Sequence, residues 1–329
     1  MTTDALSFLN AWRSPAPTVE VQTSGSTGVP HTMQVEKSRM RASALATCQF
    51  LDIPRGATAL LCLPTRFIAG KMMIVRAEVW PLKLITVEPS SHPFHGLTAP
   101  PHFVALTPAQ AYQTFQQPAE AKLLRHTPCV LIGGGAVSPR LEEQLGSCQG
   151  GVWSSYGMTE TLSHIALRRI GETGYRPLPG VKVGVARGST DAPACLWIDA
   201  PHVCPTRLQT NDVAELLPDG RFRIIGRKDN VVCSGGLKLQ LEELEQDIAT
   251  QSGLQIGQDF LLTWVADPKW GQALTLLITR QAPLPASLPA GTSRPKHIVR
   301  IPALPLTPTG KPARLQAHQL ATQALNIPL

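Results

Sequence analysis

Residues 102–117 read HFVALTPAQAYQTFQQ, and this stretch decides the fold. His102 to Leu106 is a short apolar run of the kind that lies buried in a sheet. Thr107 then offers a side-chain oxygen to the free N–H groups of a helix start, and Pro108 carries the preset φ that suits a first helical position. The spacing predicts a strand, a cap and a helix over Pro108 to Gln117. The same unit recurs on either side. Cys129 to Ile132 (CVLI) precedes Ser138-Pro139 and a helix to Leu145, and Ala57 to Leu63 (ATALLCL) precedes a helix over Gly70 to Trp80. Lys83 to Val87 and Thr18 to Gln22 read as further strands, and Glu36 to Phe50 as a helix. Such alternation predicts an α/β domain with a largely parallel sheet. Ligands of these sheets sit beyond the carboxyl ends of the strands, so the loops there are where function is expected.

The texture changes after about residue 160, where short β runs are separated by Gly and Pro. Ala214 to Leu217, the turn Pro218-Asp219-Gly220 and Arg221 to Ile225 predict a hairpin. Leu241, Leu244 and Ile248 recur at helical spacing within an amphipathic helix expected over Leu239 to Thr250. Leu261 to Val265 and Ala273 to Thr279 read as strands, and Pro283 to Pro295 as a loop. A boundary set after the hairpin divides the chain into a large α/β domain over residues 1–226 and a smaller α+β domain over 227–329, both ordinary sizes. No internal repeat is visible.

Composition narrows the class. The 329 residues are 43% hydrophobic and 16% charged, which excludes a disordered or fibrous chain. Lys and Arg exceed Asp and Glu by 7, so anionic ligands are expected. No long basic run appears and aromatics are sparse, so a nucleic-acid partner is not expected. The seven cysteines (Cys48, Cys62, Cys129, Cys148, Cys195, Cys204 and Cys233) form no CxxC pair, which fits a reducing cytoplasm better than a disulfide framework or zinc site. Neither a signal peptide nor a run long enough to span a membrane is present, so no membrane insertion is expected. Nothing in the sequence speaks to oligomeric state.

Several segments carry chemistry. Thr23-Ser24-Gly25-Ser26-Thr27-Gly28-Val29-Pro30-His31 concentrates hydroxyls and glycines whose N–H groups can surround a polyphosphate. It lacks the Walker spacing, and a flexible Ser/Gly linker is the alternative. Its position between two β runs of an α/β domain favours the phosphate loop. Ser154-Ser155-Tyr156-Gly157-Met158-Thr159-Glu160-Thr161 offers a flat ring, then a hydroxyl and a carboxylate suited to phosphate and magnesium. Each of these residues has an ordinary alternative, Tyr156 as a packed aromatic and Glu160 as a solvated carboxylate. Thr210-Asn211-Asp212, Gly226-Arg227-Lys228-Asp229, Ser234-Gly235-Gly236 and Leu306-Thr307-Pro308-Thr309-Gly310-Lys311 complete the set. Asp212 and Arg227 can meet ribose hydroxyls, Gly235 and Gly236 permit close backbone approach, and Lys311 can neutralise charge developing on phosphoryl or carboxylate oxygens. Singly, Asp212 also reads as a turn residue and Lys311 as a surface lysine.

Read together and in order, these segments, with Ser234 to Gly236 counted together with Gly226 to Asp229 as one of five motifs, resemble the adenylate-forming superfamily of acyl-CoA synthetases, peptide-synthetase adenylation domains and luciferases. Five spaced motifs in correct order are not expected by chance, and they cover Thr23 to Lys311. Within that group the chain is most similar to the 2-succinylbenzoate (o-succinylbenzoate) CoA ligase family of menaquinone biosynthesis. There Pro64 to Lys71 followed by Arg76 resembles the acyl-pocket segment, with Ile68, Ala69, Gly70 and Arg76 at the acid-contacting positions.

The resemblance implies a shortened adenylate-forming fold with a mobile C-terminal domain. It implies a two-step reaction, in which a carboxylate attacks the α-phosphate of ATP to give acyl-AMP and pyrophosphate, and the thiol of coenzyme A then displaces AMP. Thr23, Ser24, Gly25, Ser26, Thr27 and Gly28 match the triphosphate loop, and Thr159 and Glu160 the phosphate and Mg²⁺ positions. Gly134, Gly135 and Ala136 match the adenine pocket with Tyr156 and Gly157, while Asp212 and Arg227 match the ribose contacts. Lys311 matches the lysine of adenylation, Asp229 the hinge, and Gly235 and Gly236 the coenzyme A channel reached by domain rotation. Arg76 would pair with the carboxylate of 2-succinylbenzoate that is not activated, since its planar fork binds carboxylates at two points.

Three departures stand out. His31 replaces a usual lysine, Phe67 and Ala69 stand where relatives often carry histidine and serine, and only 22 residues precede Thr23, so most of the first subdomain is expected to be missing. The competing readings are a ligase for a different aryl or acyl acid and a catalytically silent nucleotide- or acyl-binding relative.

Overall fold

The computed structural model describes residues 2–22, 32–186, 188, 193–307 and 310–327. The phosphate-loop residues Thr23 to His31 lie outside the described residues, as do Pro308 and Thr309 of the lysine loop.

In chain order the elements are α1 (Thr3–Arg13), β1 (Thr18–Gln22), β2 (Thr32–Glu36), α2 (Lys37–Phe50), β3 (Thr58–Leu61), α3 (Ile68–Val79), β4 (Lys83–Thr86) and β5 (Phe103–Leu106). Then follow α4 (Pro108–Gln116), α5 (Pro118–Arg125), β6 (Cys129–Ile132), α6 (Pro139–Gly146), β7 (Gly151–Gly157), β8 (His164–Arg169) and β9 (Arg176–Pro177). The antiparallel strands β10 (Lys182–Ala186), β11 (Cys195–Asp199), β12 (Leu208–Leu216) and β13 (Phe222–Arg227) form a second sheet. The chain closes with β14 (Val231–Ser234), β15 (Leu237–Gln240), α7 (Leu241–Ser252), β16 (Phe260–Asp267), β17 (Gly271–Thr279), β18 (His297–Ile301) and α8 (Arg314–Ala324).

The expected parallel sheet is present. Its order is β4-β3-β5-β6-β7-β8-β9, parallel from β4 to β7 and antiparallel beyond. Period-two alternation assigns each strand residue to one of two cores. Ala59, Leu61, Phe103, Ala105, Cys129 and Leu131 pack with α1, α2 and α3. Leu60, Val104, Leu106, Val130 and Ile132 face the opposite way and pack with α4, α5 and α6. Both faces are therefore covered, which is why the strands read as unbroken apolar runs. Thr107 caps α4 as expected, accepting from Gln110 N (3.1 Å) while the Gln110 side chain accepts from Thr107 N. Ser138 caps α6 through Leu141 N.

One boundary differs from expectation. The helix predicted from Leu239 starts at Leu241, because Leu239 pairs with Val232 and extends β15. Sheet pairing took two residues that a helical pattern alone would have claimed.

The C-terminal segment repeats the layered logic at smaller scale. β14 to β18 form one sheet, with α7 over Leu262, Leu274 and Leu276 and α8 over Leu261, Val265 and Leu277. Its two helices are tied together by a buried ion pair. Arg314 Nη1 and Nη2 donate to the two Glu245 oxygens (2.6 and 2.7 Å), Arg314 Nη1 also donates to Leu262 O (2.9 Å), and Leu262 N donates back to Glu245 (2.7 Å). Burial pushes the Glu245 carboxyl up, against the pull of Arg314. Arg314→Ala would strand that carboxylate inside the sheet-helix core. The variant is expected to lose about 3 kcal/mol of stability, measured as a lower urea midpoint at unchanged m-value; an unchanged midpoint would show that the pair holds nothing.

Candidate functional site

The β12-β13 register places Asp212 opposite Arg227, beside a bulge between Val213 and Ala214. Arg227 Nη1 donates to Asp212 Oδ1 (3.1 Å) and Nη2 to Asp229 Oδ2 (3.0 Å), while Asn211 Nδ2 donates to both Asp229 oxygens (3.4 and 3.3 Å). The Tyr156 hydroxyl, at the carboxyl end of β7, donates to Asp212 Oδ2 at 2.5 Å. Burial and then the Asp212 charge push the Tyr156 pKa well above its usual range, so the phenol keeps its proton. Asp212 N–H bonds to Thr210 Oγ1 (3.1 Å), whose own hydroxyl donates to Leu196 O (2.8 Å). The Tyr156 ring lies edge-on to Phe222 at 5.3 Å between centroids and tilted against Tyr175 at 5.8 Å.

Lys311 joins this group from 99 positions beyond Asp212 in sequence. Its loop is closed by Thr307 N donating to Lys311 O (2.7 Å) and Lys311 N donating to Thr307 Oγ1 (3.1 Å), with Gly310 at φ +78°. Lys311 keeps solvent contact. Its ammonium is nevertheless hemmed in enough that lost hydration pulls its pKa below the lysine range, with Asp212 raising it and Arg227 lowering it. The expected ribose aspartate, arginine and hinge aspartate thus form one bonded charged cluster beside the Tyr156 ring, with the Lys311 ammonium within electrostatic reach of Asp212 and Arg227.

The strand-end loops open toward solvent. Gly134, Gly135 and Ala136 follow β6 and are exposed, with Gly134 at φ +83°. Gly157 ends β7 where the chain folds back sharply: a Cβ there would lie 2.3 Å from Ser163 O. Thr159 is buried in the short turn that follows, and Glu160 is exposed. Among the described residues no group of three or more His, Cys, Asp and Glu could hold a metal ion. An exposed single carboxylate such as Glu160 fits a magnesium ion that takes its remaining oxygen ligands from phosphate and water.

A second cluster surrounds Arg76, one of the largest fully buried side chains at 2% exposure. It stands seven residues after Ala69, on the same face of α3 two turns on. Gly70 seats that helix, since a Cβ there would lie 2.5 Å from Pro64 O. Arg76 Nη2 donates to Ser163 Oγ (2.8 Å) and Thr47 Oγ1 (3.5 Å), and Nη1 makes only a long contact to Met73 Sδ (3.8 Å). Its Nε has no partner among the described residues. Burial lowers the guanidinium pKa to about 10, which leaves it cationic at neutral pH. No carboxylate pairs with it among the described residues. His164 lies alongside, its Nε2 3.0 Å from Thr47 Oγ1 and Nδ1 3.3 Å from Ser163 Oγ.

Gly235 (φ +54°) and Gly236 (φ +83°) make the turn between β14 and β15. A Cβ on Gly235 would lie 2.8 Å from the Trp270 ring. Neither of two surface clefts contains an expected site residue. One of about 680 Å³ lies between Arg140 and the C-terminal loops near Leu304, and one of about 370 Å³ lies over α2 near Ala46.

Sequence reading singled out Thr210 beside Asp212 without giving it a role, and it overlooked Thr47, Ser163 and His164 around Arg76, and Tyr175 and Phe222 around Tyr156. Only Ser163-His164 carried a local signal, lying within four residues of Glu160. The others meet the site through packing.

The family model described as AMP-binding enzyme matches residues 19–202. A 2-succinylbenzoate–CoA ligase of Staphylococcus epidermidis is 26% identical over 338 residues, covering 92% of this chain and 69% of that protein. The Escherichia coli K12 protein of the same name is 26% identical over 270 residues, 76% of this chain and 55% of its own. Among solved structures, an acyl-CoA synthetase (AMP-forming)/AMP-acid ligase II-like protein from Dyadobacter fermentans is 34% identical with a TM-score of 0.63, covering 95% of this chain and 93% of that one. The o-succinylbenzoate CoA synthetase of Bacillus subtilis, solved with the acyl-adenylate OSB-AMP, shares the fold at 20% identity and a TM-score of 0.75, over 91% of this chain and 68% of that one.

Proposed function

From the premise that the chain belongs to the AMP-binding enzyme family, we propose that it is an ATP-dependent acid–thiol ligase converting 2-succinylbenzoate to 2-succinylbenzoyl-CoA, a step of menaquinone biosynthesis. In the first half-reaction a carboxylate oxygen bonds to the α-phosphorus of ATP and pyrophosphate leaves. In the second the coenzyme A sulfur bonds to the acyl carbon, loses its proton, and AMP leaves.

The chain's residues divide this work. Thr23 to Gly28 hold the triphosphate in this reading, and Gly134, Gly135, Ala136, Tyr156 and Gly157 frame the adenine. Asp212 and Arg227 hold the ribose, which requires the Tyr156 hydroxyl to share Asp212 with the sugar. Lys311, already within the field of Asp212, places its positive charge where phosphoryl and carboxylate oxygens meet. Mg²⁺, when bound with ATP at Glu160 and Thr159, neutralises phosphate charge. For the thiol step, the domain after residue 226 would rotate about Asp229 and bring Gly235 and Gly236 toward the acyl group. A cytoplasmic location belongs to the same reading, because all seven cysteines are unpaired.

The observation that carries the choice of acid is Arg76. A buried guanidinium whose Nε is unpaired and which has no acidic neighbour among the described residues is costly unless an anion completes it. 2-Succinylbenzoate has a second carboxylate to do so, whereas an acid with one carboxylate spends it on activation. Joint retention of Glu160, Asp212, Arg227 and Lys311 argues against a silent relative. The test is AMP release with ATP, Mg²⁺, coenzyme A and a panel of mono- and dicarboxylic acids. Release with 2-succinylbenzoate well above that with benzoate is expected; preference for a monocarboxylic acid would overturn the assignment.

A further inference from the structure

Hydrogen-bond bookkeeping around Arg76 assigns a specific state to His164. The Thr47 hydroxyl already donates to Ser43 O (3.0 Å), so its oxygen can only accept from its other neighbours. His164 Nε2, 3.0 Å away, must therefore carry the proton and donate to it. With burial and the Arg76 charge holding the ring neutral, Nδ1 is left as an acceptor. The Ser163 hydroxyl, which accepts from Arg76 Nη2 at 2.8 Å, then turns its own proton to Nδ1 at 3.3 Å. The other titratable groups packed here, Cys48 on α2 and Cys129 on β6, are thiols that burial raises to about 11 and about 12, so they add no charge.

Both hydroxyl oxygens therefore present lone pairs to Nη2 of Arg76 and take no other part of the guanidinium. Among the described residues Nε–H, and Nη1 apart from its long sulfur contact, stay uncommitted. We propose that His164 is a positioning residue for the ligase reaction: its Nδ1 turns the Ser163 hydroxyl so that Arg76 is held by one nitrogen and offers the rest of its fork to the second carboxylate of the acid. This deepens the preceding assignment and rests on it for the identity of the acid. Ser163 is the stronger of the two anchors by distance, so the Nδ1 side of the ring dominates.

Two conservative variants separate the two ring nitrogens. Asn at 164 can supply an acceptor near the Nδ1 position and Gln a donor near the Nε2 position, whereas Leu supplies neither. His164→Leu is expected to raise the KM for 2-succinylbenzoate about tenfold, with the KM for ATP moving less than about twofold. His164→Asn should recover most of that loss and His164→Gln little of it. Equal effects of all three variants, or rescue by Gln alone, would overturn the proposal, as would a rise in the ATP KM matching that of the acid. The second measurement needs no variant and no substrate. Nitrogen NMR of histidine-labelled wild-type protein at neutral pH should show one neutral ring in the Nε2–H tautomer assigned to His164; the Nδ1–H tautomer or a charged ring would refute the proposal. If wild-type protein releases no AMP with 2-succinylbenzoate while that tautomer is present, the acid assignment fails and the role of His164 in setting Arg76 stands.

Discussion

Replacing Lys311 with alanine is expected to stop acyl-adenylate formation, by on the order of 10² to 10³-fold in rate, while leaving transfer from supplied acyl-AMP to coenzyme A largely intact. The reason lies in where its charge is held. The loop bonds from Thr307 fix the backbone at Lys311, and the ammonium lies within the electrostatic reach of Asp212 and Arg227. In that position its charge can meet the oxygens that gain negative character as the carboxylate attacks phosphorus. The thiol step uses a different pair of reacting atoms and, in the proposed cycle, a rotated small domain. Pyrophosphate release measures the first half-reaction and acyl-CoA formation from synthetic acyl-AMP the second. Equal loss in both would remove Lys311 from this role.

The second large effect is expected at Arg76. Arg76→Ala should raise the KM for 2-succinylbenzoate on the order of 100-fold, the worth of a charge-assisted, two-point contact away from solvent, with little change for ATP. Folding should tolerate the change better than its 2% exposure suggests, because the substitution removes a cation that has no anionic partner among the described residues. Arg76→Lys should recover only part of the affinity, since an ammonium carries the charge without the planar fork. Steady-state kinetics with acid and ATP varied separately decides the matter: an unchanged dependence on acid places Arg76 outside the acid pocket.

Much of the architecture was legible before any coordinates. Thr107-Pro108 and Ser138-Pro139 announced their helices because capping is a local matter of one side-chain oxygen and one fixed φ. The apolar runs at Ala57 to Leu63, His102 to Leu106 and Cys129 to Ile132 announced buried strands. The start of α7 misled, because the helical spacing of Leu241, Leu244 and Ile248 is local while the pairing of Leu239 with Val232 is not. Helix α1 also escaped notice, although Thr2 caps it through Ala5 N and Ala5, Phe8 and Trp12 make a buried stripe.

The site divides along the same line. The order of its motifs, and with it the family and the residue types available for chemistry, was set by sequence alone, since spacing and residue identity are one-dimensional properties. Which groups touch was decided only in three dimensions. Tyr156 meets Asp212 across 56 positions, and Lys311 enters the field of Asp212 across 99. Arg76 was expected to face an acid because of its place after Ala69 and Gly70. That it lies buried, its Nε unpartnered among the described residues, held by hydroxyls from Thr47 and Ser163 and flanked by a neutral histidine, depends on α2, α3 and the start of β8 packing into one core. The energetic meaning of a charge depends on what surrounds it, and those surroundings exist only after the chain has folded.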